Sequence, residues 1–231
     1  MLFINIKKLI LILDNKQLVN ISFYIKNSTA LIGESGSGKS LTLKALLNLL
    51  PPSIKMQKDI VSNFDLNYDS IGFIPQNPFT SLSSMTKISK QFFCSEEKKE
   101  EVLKILNLDK SILNKFPSQL SGGQIQRVII AIAISRNIKL LLLDEPTTAL
   151  DEENKENIIN IIQDLKNRLN ILTLFVTHDI DSIKDLCEEI IILKNGEIVE
   201  TGLTQEILSS PKEDYTKKLI NSTFKNKTFR N

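Results

Sequence analysis

Short runs of branched aliphatic residues alternate with polar punctuation along this chain. Ile4 to Ile6, Leu9 to Leu13 and Ile21 to Ile25 read as strands, the first pair set off from the third by Asp14-Asn15-Lys16. Ala30-Leu31-Ile32 reads as a short buried strand running into a glycine-rich turn. Beyond the turn, Leu41, Leu43, Leu46, Leu47 and Leu50 recur at helical spacing until Pro51-Pro52 stops them. Residues 53–70 are polar and carry no clear period, and Ile71 to Ile74 is the next strand. Glu96 to Leu108, Ile125 to Ile134 and Asn154 to Leu169 have helical periodicity, and the all-leucine run Leu140 to Leu143 reads as a strand buried on both faces. Leu172 to Val176 and Ile190 to Leu193 are further strands around a short helix at Ser182 to Cys187. Asn195-Gly196 is a strong hairpin turn with Glu197 to Glu200 returning. Strands alternating with helices predict an α/β fold with a parallel sheet, and the Ser- and Lys-rich stretch from Pro78 to Gln119 predicts an inserted helical lobe.

Composition narrows the class. With 231 residues, 42% of them hydrophobic and 24% charged, the chain has the makings of one large globular domain. Its 29 basic and 27 acidic residues leave a net charge of +2, which gives no electrostatic footprint for nucleic acid. Two distant cysteines, Cys94 and Cys187, cannot make a disulfide framework or a cysteine-rich metal site. The apolar run at Leu9 to Leu13 is too short for a secretory leader, and no stretch approaches the roughly 20 residues that span a bilayer. Work at a membrane would therefore need another chain to hold this one there.

Two motifs carry chemistry. Gly33-Glu34-Ser35-Gly36-Ser37-Gly38-Lys39-Ser40 matches G-x-x-x-x-G-K-[ST] between an apolar strand and an apolar helix. Glycines there let backbone N–H groups turn inward around a phosphate at a helix N-terminus, Lys39 reaches the β- and γ-phosphates, and the Ser40 hydroxyl holds Mg²⁺. The partner carboxylates follow the strand Leu140 to Leu143: Asp144 for Mg²⁺, and Glu145 as general base for an attacking water. Together they predict Mg²⁺-dependent hydrolysis of a nucleoside triphosphate.

Leu120-Ser121-Gly122-Gly123-Gln124, about twenty residues before the acidic strand, resembles the signature motif of the ATP-binding cassette (ABC) family. Ser121, Gly122, Gly123 and Gln124 open a helix whose N–H groups and dipole suit an anion. The resemblance implies that this anion is the γ-phosphate held by an opposite subunit, so that two chains sandwich two ATP molecules. It also implies a P-loop NTPase (RecA-like) core with an N-terminal antiparallel β subdomain and an inserted α-helical subdomain, in a single domain 1–231 with the core at 1–77 and 120–231 and the lobe at about 78–119. By the same resemblance Gln76 looks like the glutamine that senses Mg²⁺ and the γ-phosphate, Ala149-Leu150-Asp151 like the loop that crosses the dimer interface, and His178, the sole histidine, like the switch that contacts the γ-phosphate. The family's usual adenine-stacking aromatic falls near Leu13, which offers no π-face; Phe3 and Phe23 are substitutes better suited to core packing.

Smaller stretches resemble one branch. Gln76-Asn77-Pro78-Phe79-Thr80-Ser81-Leu82 is similar to the Q-D/N-P-x-x-S-L segment of peptide/nickel importer ATPases, and Pro211 to Leu219 resembles their P-x-H-P-Y-T-x-x-L segment with Glu213 and Asp214 replacing His and Pro. The branch implies ATP hydrolysis to ADP and phosphate at the cytoplasmic face of the inner membrane. Its partners would be transmembrane permease subunits, a second ABC ATPase in a homo- or heterodimer and, indirectly, a solute-binding protein. Without the cysteine-bearing extension of many peptide importers, the chain leans slightly toward nickel or another metal complex over oligopeptide. Phe79, Leu82, Met85, Phe92 and Phe93 would receive a permease helix or form the lobe's own core. A non-transport ABC ATPase, an exporter ATPase and a phosphate-loop kinase are the alternatives.

Overall fold

The computed structural model describes residues 1–147 and 152–228. Two compact units divide the chain: Met1–Leu66 with Ile171–Asn231, and Asn67–Asn170.

The first unit contains two sheets. Strands β1 (Ile4–Leu13), β2 (Lys16–Ile25) and β4 (Lys55–Ser62) form an antiparallel sheet in the order β2-β1-β4. Asp14 and Asn15 both take positive φ, 47° and 62°, which makes the β1–β2 connection a tight two-residue hairpin. The two runs read as separate strands at Ile4 to Ile6 and Leu9 to Leu13 are one strand, with a bulge between Ile6 and Leu9 that absorbs Lys7-Lys8. Strand β4 carried no recognisable period because it is an edge: its residues are half-buried or exposed, and lysines and Asp59 sit on it as edge strands require.

The other sheet strands of this unit are β3 (Ser28–Ile32), β7 (Leu172–Thr177), β8 (Glu189–Lys194) and β9 (Glu197–Leu203), in the order β7-β3-β8-β9. The first three are parallel and β9 returns antiparallel. Every residue of β3 and β7 is buried, the pattern of parallel strands covered on both faces. Helix α1 (Lys39–Leu46) follows β3. It ends before Pro51 because Asn48 takes φ 54° and closes it. Ser182 to Cys187, expected as a helix, is a series of turns stitched by Ile183 N–H to the Ile180 carbonyl and Cys187 N–H to the Ile183 carbonyl. Six residues with Asp and Lys interleaved are too few to sustain a helix against such turns. Helices α5 (Thr204–Ser209) and α6 (Asp214–Thr228) close this unit.

Gly196, in the β8–β9 turn, has φ 80°, and a Cβ there would lie 2.0 Å from the Leu18 carbonyl oxygen. Gly196→Ala therefore combines left-handed backbone strain with a backbone clash. The expected loss is roughly 2–4 kcal/mol, read as a fall of about 5–15 °C in the melting temperature; an unchanged midpoint would contradict this packing.

The second unit holds the parallel pair β5 (Ile71–Ile74) and β6 (Leu140–Asp144), with helices α2 (Glu96–Ile105), α3 (Gly122–Ile134) and α4 (Glu152–Leu169). Ile158, Ile162 and Leu165 are buried along one face of α4 at helical spacing. Between β5 and α3 the chain has one α-helix and several short 3-10 turns. Ser95 caps α2 by accepting from the Lys98 N–H.

Candidate functional site

The phosphate-loop motif leaves the carboxyl end of β3. Ile32 pairs with Thr177 of β7 and Ile192 of β8, so Gly33 and His178 leave their strands side by side at the carboxyl end of the parallel strands, level with Leu193 of β8. Ligands in open α/β folds bind outside the carboxyl ends of strands. Gly33 has no room for a side chain: a Cβ would meet the Leu193 carbonyl oxygen at 2.2 Å and Ser37 Oγ at 2.6 Å. Gly36 and Gly38 take φ of 83° and 107°, which bends the loop so that the chain enters α1 directly at Lys39. Glu34, Ser35, Gly36 and Ser40 are exposed, whereas Lys39 is only 6% exposed. The Lys39 ammonium donates to the Gly33 and Glu34 carbonyl oxygens at 2.6 and 2.9 Å. Ser37 Oγ is buried without a hydrogen-bond partner among the described residues. A buried cation, an unsatisfied hydroxyl and an open loop at a helix N-terminus fit a phosphate group. The β8–β9 turn braces this loop, since the Gly196 N–H donates to the Ser37 carbonyl at 2.8 Å and Gly196 in turn accepts from the Asn20 N–H at 2.7 Å.

The second unit brings Gln76 and Glu145 together. Ile74 pairs with Leu143, which places the residues after β5 and β6 at the same end. The Gln76 amide donates to Glu145 Oε2 at 3.0 Å. Glu145 has φ 45°, unusual for a glutamate and of a kind found where backbone strain serves a site. Gln126, on α3 and 2% exposed, donates to the Pro146 carbonyl oxygen at 2.6 Å and so pins the backbone just after Glu145. Ser121 is the N-cap of α3: its Oγ accepts from the Gln124 N–H at 3.3 Å, and the Gln124 side-chain oxygen accepts from the Ser121 N–H at 3.1 Å. This capping box uses two of the N–H groups expected to be bare and leaves the first turn at Gly122 and Gly123 for an anion. Gln76 and Asp144 of this unit carry an amide and a carboxylate, and Ser40 of the first unit a hydroxyl; each is a hard oxygen donor of the kind Mg²⁺ takes.

Of the remaining expectations, Asp151, with Ala149 and Leu150, lies outside the described residues, as does the side chain of Phe79. Met85 and Phe93 are 88% and 76% exposed, whereas Phe92 is buried and belongs to the lobe's core. Leu13 closes the β1–β2 hairpin opposite Lys16, and Phe23 is a core residue. Gln126, Gly196 and Tyr215 were not among the expected site residues. Gln126 had a visible signal, a polar side chain on the buried face of an apolar helix. The other two act through contacts more than 150 residues away in sequence.

The sequence model of the ABC transporter family matches residues 17–148, more than half of the chain. The oligopeptide transport ATP-binding protein OppD of Bacillus subtilis is 34% identical over 221 residues, covering 84% of this chain and 62% of that one. The dipeptide transport ATP-binding protein DppD of Caldanaerobacter subterraneus subsp. tengcongensis is 34% identical over 226 residues, covering 86% of this chain and 69% of its own length. Among solved structures, cbiO1 of Clostridium perfringens, part of the ABC transporter complex cbiONQ, superposes with a TM-score of 0.77 at 25% identity over 90% of each chain. No described helix is long and apolar enough to cross a membrane. The chain belongs to the ABC transporter family, as one of its ATP-binding proteins.

Proposed function

We propose that this chain hydrolyses ATP to ADP and phosphate and thereby drives import of oligopeptides through a membrane permease. The observation that carries the reading is the phosphate loop, with its buried Lys39, unpartnered Ser37 hydroxyl and strand-end position. ATP is the substrate, and the first roles are electrostatic. Lys39 neutralises the β- and γ-phosphates, and loop N–H groups between Ser35 and Ser40 receive the phosphate oxygens. Ser40, Gln76 and Asp144 would hold Mg²⁺, which when bound neutralises charge developing between the β- and γ-phosphates. Glu145 takes the proton of the attacking water, oriented by the Gln76 amide at its carboxylate. His178 contacts the γ-phosphate.

A second ATPase subunit completes each site. Ser121, Gly122, Gly123 and Gln124 present the start of α3 to the γ-phosphate held by that subunit, with Asp151 crossing the interface. The names of the relatives favour peptide over nickel as cargo. Met85 and Phe93 supply the exposed apolar surface for the permease at the cytoplasmic face of the membrane, and a solute-binding protein acts indirectly. ATP closes the dimer through γ-phosphate contacts absent from the open state, the differential affinity that any switch requires.

Ser121→Arg tests the paired site. Loss of the N-cap costs only about 1 kcal/mol, so the chain still folds and binds ATP. ATP-dependent dimerisation, followed by sedimentation, is expected to disappear; normal dimerisation would contradict the sandwich.

A further inference from the structure

The C-terminal helix reaches the phosphate loop. The phenol oxygen of Tyr215, in the first turn of α6, accepts a hydrogen bond from the Glu34 N–H at 3.2 Å across 181 residues of sequence. That N–H belongs to the same peptide plane as the Gly33 carbonyl, which accepts from the Lys39 ammonium at 2.6 Å. In a planar trans peptide the carbonyl and the N–H point in opposite directions. One peptide at the mouth of the loop is therefore held on one side by Lys39 and on the other by Tyr215.

Tyr215 is itself held firmly. Glu200 of β9, 8% exposed, accepts from the Lys212 and Glu213 N–H groups at 2.8 and 3.2 Å and so anchors the chain entering α6. A carboxylate at this point also complements the helix dipole. The Lys194 ammonium lies 4.8 Å from the centroid of the Tyr215 ring, and Leu219 and Ile220 bury the next turn of α6. Burial pushes the phenol above its ordinary range, so at neutral pH the group is a neutral hydroxyl. The segment Pro211 to Leu219, which the sequence singles out without assigning it a task, is thus built against the loop.

We propose that Tyr215 is a positioning residue for nucleotide binding: its hydroxyl fixes the Gly33–Glu34 peptide on which the Lys39 ammonium docks, so that α6 sets the affinity of the phosphate loop for nucleoside triphosphates. The proposal rests on the phosphate-loop reading above. Loss of the hydroxyl frees that peptide to rotate and takes Lys39 off its register.

The test is titration of the full chain with a fluorescent ATP analogue in wild type, Tyr215→Phe, Lys39→Ala and the double variant. Tyr215→Phe keeps the ring and is expected to weaken binding about three- to tenfold, the scale of one hydrogen bond. Its unfolding midpoint without nucleotide should move by no more than about 3 °C, and kcat at saturating ATP should stay within about twofold, so the loss appears in KM. In the Lys39→Ala background the second substitution should add little, because both act through one peptide. Wild-type affinity in Tyr215→Phe alongside lost binding in Lys39→Ala overturns the proposal alone. Wild-type affinity in Lys39→Ala overturns the phosphate-loop reading and the proposal with it.

Discussion

Glu145→Gln is expected to lower kcat for ATP hydrolysis by about 10²-fold or more, with nucleotide affinity unchanged. The change is nearly isosteric. A glutamine at this position keeps an oxygen that can accept from the Gln76 amide, now 3.0 Å from Glu145 Oε2. The Gln126 bond to the Pro146 carbonyl is untouched, so the strained backbone at φ 45° stays where it is. What is lost is the carboxylate as a proton acceptor, and a positioned general base contributes roughly 10²–10⁴-fold. Single-turnover phosphate release, measured beside nucleotide binding, separates the two quantities. A fully active Glu145→Gln protein would remove Glu145 from the proposed mechanism.

Lys39→Ala should act on binding instead. Lys39 is 6% exposed and its ammonium bridges two loop carbonyls, so its removal takes away both the charge that meets the phosphates and a brace of the loop. Hydrogen bonds to charged groups contribute about 1.5–3 kcal/mol each, so ATP affinity should fall by roughly 10²-fold. Lys39→Arg should not restore it, because a planar guanidinium cannot occupy the place of a compact ammonium between the Gly33 and Glu34 carbonyls. The check is equilibrium titration of both variants with nucleotide; wild-type affinity in Lys39→Ala contradicts the role assigned to the loop.

Much of this architecture is legible from local rules. The phosphate loop, the all-leucine strand before Asp144 and the helix opened by Ser121 each obey a short-range pattern, because strand burial, glycine conformation and helix capping are decided within a few residues. Strand β4 escaped because an edge strand needs no apolar face, and its polar residues imitate a loop. Ser182 to Cys187 deceived in the other direction, since Ile183, Leu186 and Cys187 are buried at helical spacing while the backbone only turns. The braces of the site were illegible for a different reason. Gly196 against Ser37, and Tyr215 against Glu34, are contacts between segments brought together by sheet order, and no local pattern encodes them. Gln126 is intermediate: its burial could be anticipated from helix periodicity, its acceptor at Pro146 could not. Cargo is not legible in this chain's own residues; the names of relatives in oligopeptide and dipeptide transport support peptide over nickel.

ATP hydrolysis by this chain is proposed to power oligopeptide import. The most direct measurement is uptake of a radiolabelled oligopeptide, with radiolabelled nickel in parallel, in cells whose only copy of the chain is wild type or Glu145→Gln. Glu145→Gln is expected to abolish peptide uptake and to leave nickel uptake intact. Peptide uptake equal to wild type would contradict this role.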